Sequence, residues 1–131
     1  MIRDAVGDVG ERRWWDTAQM RSRAERNWDP EIVYEEGEGW PGAESCSGAD
    51  AIIARFEAYA EAVGELELEI EDIEDLGDDR ALLVVHAHGQ SVAGVPTDRR
   101  WAYVLTFKDS KLVRWRAEID PERTRRELGL G

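Results

Sequence analysis

The sequence predicts an α+β fold, with helices in the first half of the chain and an antiparallel sheet in the second. Between Ile52 and Val63, apolar residues recur every three or four positions, which is the period of an amphipathic helix. From Glu65 onward the period becomes two, because leucine and isoleucine alternate with glutamate. Such alternation is typical of an antiparallel sheet with one covered face.

The elements are predicted in a definite order. A helix over residues 11–28 ends at Asp29-Pro30, since the residue before a proline avoids the helical region. The first ten residues, with two glycines and little pattern, are expected to be frayed. There follow a strand at 32–36, a helix that begins with a capping box at Ser47 and Asp50 and stops at Gly64, strands at 65–76, 80–89, 99–107 and 112–119, and a terminal helix at 121–128.

Length and charge limit the classes of protein to consider. The chain of 131 residues predicts a single domain, 1–131. Its net charge of −12 argues against nucleic acid and anionic membranes as partners, because an acidic surface repels phosphate groups. No apolar run is long enough to cross a membrane, and the opening residues lack the apolar segment of a secretory signal. Together with the single cysteine, Cys46, these features predict a cytoplasmic protein.

A glycine-rich loop separates the first predicted strand from the helix after it. Gly37, Gly39 and Gly42 have the spacing of a dinucleotide-binding fingerprint. However, that fingerprint requires a buried parallel strand after the helix, and here the next strand is half glutamate. Pro41 lies inside the motif, and nearby glutamates would repel a pyrophosphate. We therefore expect no cofactor, and interpret the loop as a mobile segment at the rim of a cavity.

Four segments are distinctive, namely WDPEIVYEE, SGADAIIARFEAY, LGDDRALLVVHAHG and YVLTFKDSKLVRWRAEID. Together they resemble the nuclear transport factor 2-like superfamily, in particular its SnoaL-like branch, and the resemblance covers roughly residues 12–130. It implies a cone-shaped curved sheet wrapped around the amino-terminal helices, with an apolar cavity inside, and often a homodimer. The superfamily includes ketosteroid isomerase, polyketide cyclases, limonene-epoxide hydrolase and many non-catalytic binding modules.

Alternate residues of a strand share a face, and the resemblance places one set from each of three strands toward the cavity. The sets are Leu82, Val84, His86 and His88; Trp101, Tyr103, Leu105 and Phe107; and Val113, Trp115, Ala117 and Ile119. Aromatic walls suit small-molecule pockets, although plain core packing explains the same residues. The predicted ligand-binding residues are Trp40, which would act as a lid, Phe56, Leu82, Val84, Trp101, Trp115 and Ala117.

The resemblance also suggests catalytic residues. The carboxylate base of ketosteroid isomerase corresponds to Glu35 or a residue beside it, and its oxyanion acid corresponds to Tyr103. The tyrosine expected on the first helix has no counterpart. A catalytic aspartate of limonene-epoxide hydrolase corresponds to Ala117, which argues against epoxide hydrolysis. For a cyclase, the acid or base would be Glu35, His86 or His88.

Each candidate has a structural alternative. His86 and His88, on one face of a strand, suit acid/base catalysis or chelation of a metal with a nearby carboxylate, but equally a hydrogen-bonded wall. Glu35 is either a buried base or a solvated loop acid, and Tyr103 is either a donor to a ligand or structural. Two functions remain open: a cofactor-independent isomerase, cyclase or hydrolase of a small apolar carbonyl compound, or a non-catalytic module for hydrophobic-ligand binding or dimerisation.

Overall fold

The computed structural model describes residues 2–12, 15–40, 42–63, 65–90, 94 and 96–130. The α+β class is confirmed, and the strands after α3 begin within three residues of their predicted positions. The elements are α1 (Ile2–Val6), α2 (Thr17–Asn27), β1 (Trp28–Glu36), β2 (Ser45–Ser47), α3 (Ala49–Val63), β3 (Glu65–Gly77), β4 (Arg80–Gln90), β5 (Pro96–Lys108), β6 (Lys111–Glu118) and α4 (Pro121–Glu127).

The six strands form one curved, unclosed sheet in the order β2-β1-β6-β5-β4-β3. Neighbouring strands are antiparallel except β1 and β6, which pair in parallel. The four strands predicted after α3, now β3 to β6, are successive neighbours in the sheet, and short turns join β3 to β4 and β5 to β6. In the described residues, no helix combines the length and apolar character that a membrane span requires.

The inner face of the sheet packs against α2 and α3. Leu83, Tyr103 and Ala117 are cross-strand neighbours, so they share this face, and each is at most 1% exposed. Trp115 lies at the centre of an aromatic cluster. Among the described residues, the ring centroids of Trp28, Tyr34, Phe56 and Tyr103 lie 5.2 to 5.7 Å from its own.

The face predicted for β4 is wrong. Leu83 and Val85 pair with Tyr103 and Trp101 and belong to the inner core, so the even-numbered residues of β4 face outward. The segment from Ala81 to Val85 is apolar at every position, and alternation therefore gives no signal of which face is inside. The residues placed on the outer face are Leu82, Val84, His86 and His88.

Leu82 is only 1% exposed although it faces outward. The helix α4 lies over this part of the sheet, since Arg125 of α4 contacts Glu74, the cross-strand partner of Leu82, at 2.5 Å. The outer face is therefore partly covered, and burial alone does not identify the inner side.

A register shift in β6 overturns a second facing prediction. Thr106 pairs with Arg114 and Phe107 pairs with Leu112, so Val113 is the extra residue of a bulge. Leu112, rather than Val113, lies in the inner core and is 0% exposed. A strict period of two across residues 112–119 cannot represent such an insertion.

The amino-terminal residues also differ from the prediction. Residues 2–6 form α1 instead of fraying, and Ala5 and Val6 are at most 2% exposed. The carbonyl of Ala5 accepts a hydrogen bond from the Trp28 indole at 3.0 Å, which fixes α1 to the start of β1. The helix predicted over 11–28 begins only at Thr17, where the Asp16 carboxylate caps it, and ends at Asn27 as expected.

The predicted capping box of α3 is wrong. The hydroxyl of Ser47 donates to the carbonyl of Ile32 at 3.1 Å, so it fastens β2 to β1, and Asp50 pairs with Arg21 at 2.5 Å. The helix begins after Gly48, whose carbonyl accepts from the amide of Ile52. The stop predicted at Gly64 lies outside the described residues.

Candidate functional site

The glycine loop between β1 and β2 begins in close contact with β6. The amide of Gly37 donates to the carbonyl of Ala117 at 2.8 Å. A Cβ atom at Gly37 would lie 2.7 Å from the Glu118 carboxylate and 3.1 Å from the Ala117 carbonyl. Gly39 adopts a positive φ of 87° in the turn that follows. Close approach and turn geometry thus account for these two glycines.

Glu36, the last residue of β1, carries its carboxylate to the inner side of this loop. It is the cross-strand partner of Ala117, and its side chain is 0% exposed. The carboxylate accepts hydrogen bonds from the hydroxyls of Tyr34 and Tyr59 at 2.9 and 2.5 Å. It also accepts from Arg55 at 2.5 Å and from the amide of Glu44 at 3.1 Å. A buried carboxylate held by several donors is the central feature of the site.

Arg55 and Tyr59 lie one turn apart on α3, so both reach Glu36 from the same face of the helix. Arg55 also donates to the carbonyl of Gly42 at 3.1 Å and to the carboxylate of Glu44 at 3.2 Å. Its guanidinium lies 5.0 Å from the centre of the Tyr59 ring. Arg55 therefore fastens the loop, β1 and α3 to one another.

Opposing effects set the pKa of Glu36. Burial acts to raise this pKa, but the hydrogen bonds from Arg55, Tyr59 and Tyr34 outweigh burial and hold the pKa below its usual value. Burial raises the pKa of the Tyr34 hydroxyl, and Tyr103 and Glu36 add to the effect. Burial, with the bond to Glu36, likewise raises the pKa of Tyr59. The cluster at neutral pH is thus a carboxylate anion surrounded by protonated hydroxyls.

The stability that Glu36 contributes should depend on pH. A carboxyl whose pKa is lowered by folding stabilises the folded state above its ordinary pKa of about 4.3, and this contribution is lost as the pH falls through the lowered value. The difference in free energy of unfolding between wild type and Glu36→Gln should be largest near neutral pH and shrink below about pH 4. Urea denaturation from pH 3 to 8 measures it, with Glu38→Gln as the exposed loop control. An equal difference at pH 3 and pH 7 would contradict the expectation.

Trp40 links α3 to β5. Its indole N–H donates to the Tyr59 hydroxyl at 2.9 Å, and its ring meets that of Trp101 edge-on at 5.7 Å. Tyr103, the next inward residue of β5, lies beside them and is 1% exposed, and burial raises the pKa of its hydroxyl. Trp40 thus occupies the position that a lid would take over the inner face.

Glu35, predicted as the catalytic base, faces away from this cluster. Its carboxylate lies 2.5 Å from Arg114 and 3.4 Å from Arg116 on the outer side of β6. The hydrogen bond from Arg114 lowers the pKa of Glu35. The inward carboxylate is its neighbour Glu36, because the inner parity of β1 belongs to Ile32 and Tyr34.

His86 and His88 also lie apart from Glu36 and Tyr103, on the outer face of β4. Their ring centroids are 5.0 Å apart, and Nε2 of His86 is 2.6 Å from the carboxylate of Asp98. Leu82 and Val84, predicted to bind a ligand, lie on the outer face as well. The predicted site residues on the inner side are Trp40, Phe56, Trp101, Tyr103, Trp115 and Ala117. Trp115 and Phe56 pack against each other within the core.

Sequence reasoning missed Glu36, Arg55 and Tyr59 as one group. One signal in the sequence could have found them. Arg55 and Tyr59 lie one position before and three positions after the buried Phe56, which places a cation and a hydroxyl near the buried side of α3. A second signal was the pairing of Tyr34 with Glu36, two positions apart on β1.

Comparison with protein families settles the relationship. Residues 12–115 match the model of the SnoaL-like domain. The chain belongs to the SnoaL-like domain family. The match covers most of the chain, and the resemblance seen in the sequence is thereby confirmed. No curated protein matches the sequence.

Solved structures share the fold of this SnoaL-like domain. A protein from Jannaschia sp. CCS1 assigned as a SnoaL-like polyketide cyclase is 16% identical over 91% of this chain and 88% of its own, with a TM-score of 0.67. An NTF2-like protein from Burkholderia thailandensis is 22% identical, with coverages of 85% and 83% and a TM-score of 0.67. A protein from Bacillus subtilis assigned as an isomerase is 20% identical, with coverages of 89% and 84% and a TM-score of 0.63. At these identities the likeness shows the fold alone.

Proposed function

We propose that this SnoaL-like domain binds a small apolar carbonyl compound beneath Trp40 and moves a proton with Glu36. The observation that supports the proposal is the Glu36 side chain itself, which is 0% exposed on the inner face and lies among tyrosine hydroxyls. Buried carboxylates are costly unless they are paired, and a paired one in an aromatic-lined site is a candidate for function. This residue replaces Glu35 as the proposed base.

The chemistry is the removal of a proton from the carbon next to a carbonyl group. The ionised carboxylate of Glu36 takes the proton, and the electron pair of the broken C–H bond forms an enolate. A protonated hydroxyl, from Tyr59 or Tyr103, donates a hydrogen bond to the enolate oxygen. Return of the proton from Glu36 to a different carbon completes an isomerisation. Attack of the enolate carbon on a second carbonyl of the same compound breaks the π bond of that carbonyl, and its oxygen takes the proton back from Glu36, which completes an aldol cyclisation. No cofactor takes part in these steps.

Entry of the compound requires Trp40 to leave its position. The indole gives up one hydrogen bond to Tyr59 and one edge-on contact with Trp101. The loop that carries it is fastened by Arg55, which also holds the carboxylate of Glu36. In this proposal, opening of the loop also removes some of the hydrogen bonds that Glu36 accepts. Loss of these hydrogen bonds raises the pKa of the Glu36 carboxylate, which becomes a stronger base as the compound binds.

Exchange of carbon-bound hydrogen tests the proposal. Wild type should accelerate the exchange of α-protons for deuterium in a panel of cyclic ketones and unsaturated cyclic ketones, followed by proton NMR in D₂O. Glu36→Gln should lower the accelerated rate by about 10²–10⁴-fold, the usual contribution of a general base. Glu35→Gln removes the same charge one residue earlier on the outer face, and should change the rate by no more than about twofold, in keeping with its distance from the substrate. Equal losses in the two variants, or no acceleration with any compound, would exclude the mechanism.

A binding module is the second candidate, and one observation favours it. The acceptor positions of Glu36 are occupied by Tyr34, Tyr59, Arg55 and the amide of Glu44, as in a structural clamp. In that case hydrophobic compounds would still quench the tryptophan fluorescence of wild type, while no member of the ketone panel would be turned over. The same measurements therefore separate the two candidates.

The proposal retains the homodimer that the family resemblance implies, and a small hydrophobic molecule as the ligand in each copy. Light scattering over the working range of protein concentration tests the dimer. A mass of 14.9 kDa at every concentration, which is that of the monomer, would contradict the homodimer.

A further inference from the structure

We propose that the outer face of β3 and β4 binds a divalent transition-metal ion, with Zn²⁺ as the best fit, through Glu69, His86 and His88. Each of the three side chains offers one ligand atom, and these atoms all lie within 4.8 Å of one another. The group lies on the opposite face of the sheet from Glu36. It therefore stands independently of the proton-transfer function proposed above.

The backbone of two paired strands holds the three residues in place. His86 and His88 are two positions apart on β4, so both project from the same face, and Glu69 is the direct cross-strand partner of His86. The imidazole planes are tilted by 39° with centroids 5.0 Å apart. Ligands on neighbouring strands of a formed sheet require little further ordering of the chain when a metal binds.

The ligand set is one that zinc uses. Two imidazoles and one carboxylate, with a fourth position open to water, form a common tetrahedral zinc site. With metal–ligand distances near 2.0–2.1 Å, tetrahedral ligand atoms are separated by about 3.4 Å. The side chains would close by roughly an ångström from their present separation, and all three are partly exposed and have room to rotate. Asp98, whose carboxylate is 2.6 Å from Nε2 of His86, lies close enough to provide the fourth ligand.

The charges around the group favour a cation. Carboxylates of Glu67, Glu69 and Asp98 face the histidines at 2.6 to 4.0 Å. Among the described residues, two cations lie beside this group. Arg12 is 2.9 Å from Glu67 and 3.7 Å from Oε1 of Glu69, and Arg100, the cross-strand partner of His86, is paired with Glu71. The other oxygen of Glu69, Oε2, is the one that faces His88. Arg12 thus orients Glu69 as an outer partner of a metal ligand would, and leaves Oε2 available to the ion.

Zinc titration of the tag-free full-length chain, after treatment with a chelator, tests the site by calorimetry. Wild type should bind one Zn²⁺ per chain with saturation, and His86→Ala, His88→Ala and Glu69→Gln should each weaken binding at least about tenfold. Glu71→Gln is the matched control, because it removes the same charge from the same strand but its carboxylate pairs with Arg100. Its affinity should stay within about twofold of wild type, the effect expected of a nearby exposed charge.

Two outcomes would overturn the site. One is the absence of saturable binding at one equivalent of Zn²⁺, and the other is an equal loss of affinity in Glu71→Gln and Glu69→Gln. Circular dichroism of each variant checks that it is folded, and Glu69→Gln serves as the decisive variant if a histidine variant does not fold. Co²⁺ adds an independent measurement, because its visible absorption should show tetrahedral coordination in wild type, and an unchanged spectrum in His88→Ala would also contradict the proposal.

Discussion

Replacing Glu36 with alanine should lower the free energy of unfolding by about 3–5 kcal/mol, the usual cost of removing one partner from a buried ion pair. The side chain is 0% exposed, so the change leaves Arg55 and the hydroxyls of Tyr34 and Tyr59 facing a space with no acceptor. Each unpaired buried donor adds its own desolvation cost. Urea denaturation followed by circular dichroism at pH 7 measures the loss.

The matched control is Glu35→Ala. Glu35 precedes Glu36 on the same strand and is also paired with arginine, but Arg114 and Arg116 are 57% and 41% exposed. Ion pairs with exposed partners contribute about 0–1 kcal/mol, so Glu35→Ala should cost no more than that. If Glu36→Ala does not fold, Glu36→Gln, which keeps the volume and one acceptor, should show a smaller loss. A loss for Glu36→Ala no greater than that for Glu35→Ala would refute the assignment of Glu36 to the inside.

Trp115→Ala is expected to be comparably severe, at about 3–5 kcal/mol for an indole removed from a packed core. Trp115 is 0% exposed and makes ring contacts with Trp28, Tyr34, Phe56 and Tyr103. These residues belong to β1, α3 and β5, so the cavity would open between the sheet and the helix that covers it. The same denaturation experiment applies.

Trp115→Phe keeps an aromatic ring at this position and should lose clearly less stability than the alanine variant. Val33→Ala tests a neighbouring strand on the outer face, where the side chain is 38% exposed, and should change stability by only about 0.5 kcal/mol. If Trp115→Ala were as mild as Val33→Ala, the aromatic cluster would not be the centre of the core.

The class of fold and most strand positions could be predicted from the sequence, because period changes and turn residues are local signals. The alternation from Leu68 to Ile70 and the turn before Arg80 gave two adjacent strands correctly. The faces of β4 could not be predicted in the same way, since residues 81–85 are apolar at both parities. Their orientation is seen only in the tertiary structure, where Leu83 and Val85 pair with Tyr103 and Trp101 and join the inner core.

The candidate site shows the same limit. Inward residues of β5, namely Trp101 and Tyr103, were predicted on the correct face, because large aromatic and leucine side chains alternate there with smaller ones. For β1, one of the two adjacent glutamates, Glu35 or Glu36, must face inward, because neighbouring residues of a strand point to opposite faces. The sequence does not show which one, since both residues are identical in type. The partners that fix Glu36 come from α3, and no local pattern links a strand end to a helix 19 and 23 residues later.

The position of β6 between β1 and β5 has a consequence for how the molecule assembles. The parallel partner of β1 is β6, the last strand in the described part of the chain, with Trp28 beside Leu112. During synthesis, β1 cannot pair with β6 until β6 has left the ribosome, so the apolar sides of β1 and of the amino-terminal helices stay uncovered until then. Bringing β1 and β6 together closes a long segment of chain, which carries an entropic cost. Strands β3 to β6 have their pairing partners close by in the chain, so they can form hairpins early. Strand β6 then provides the free edge with which β1 pairs.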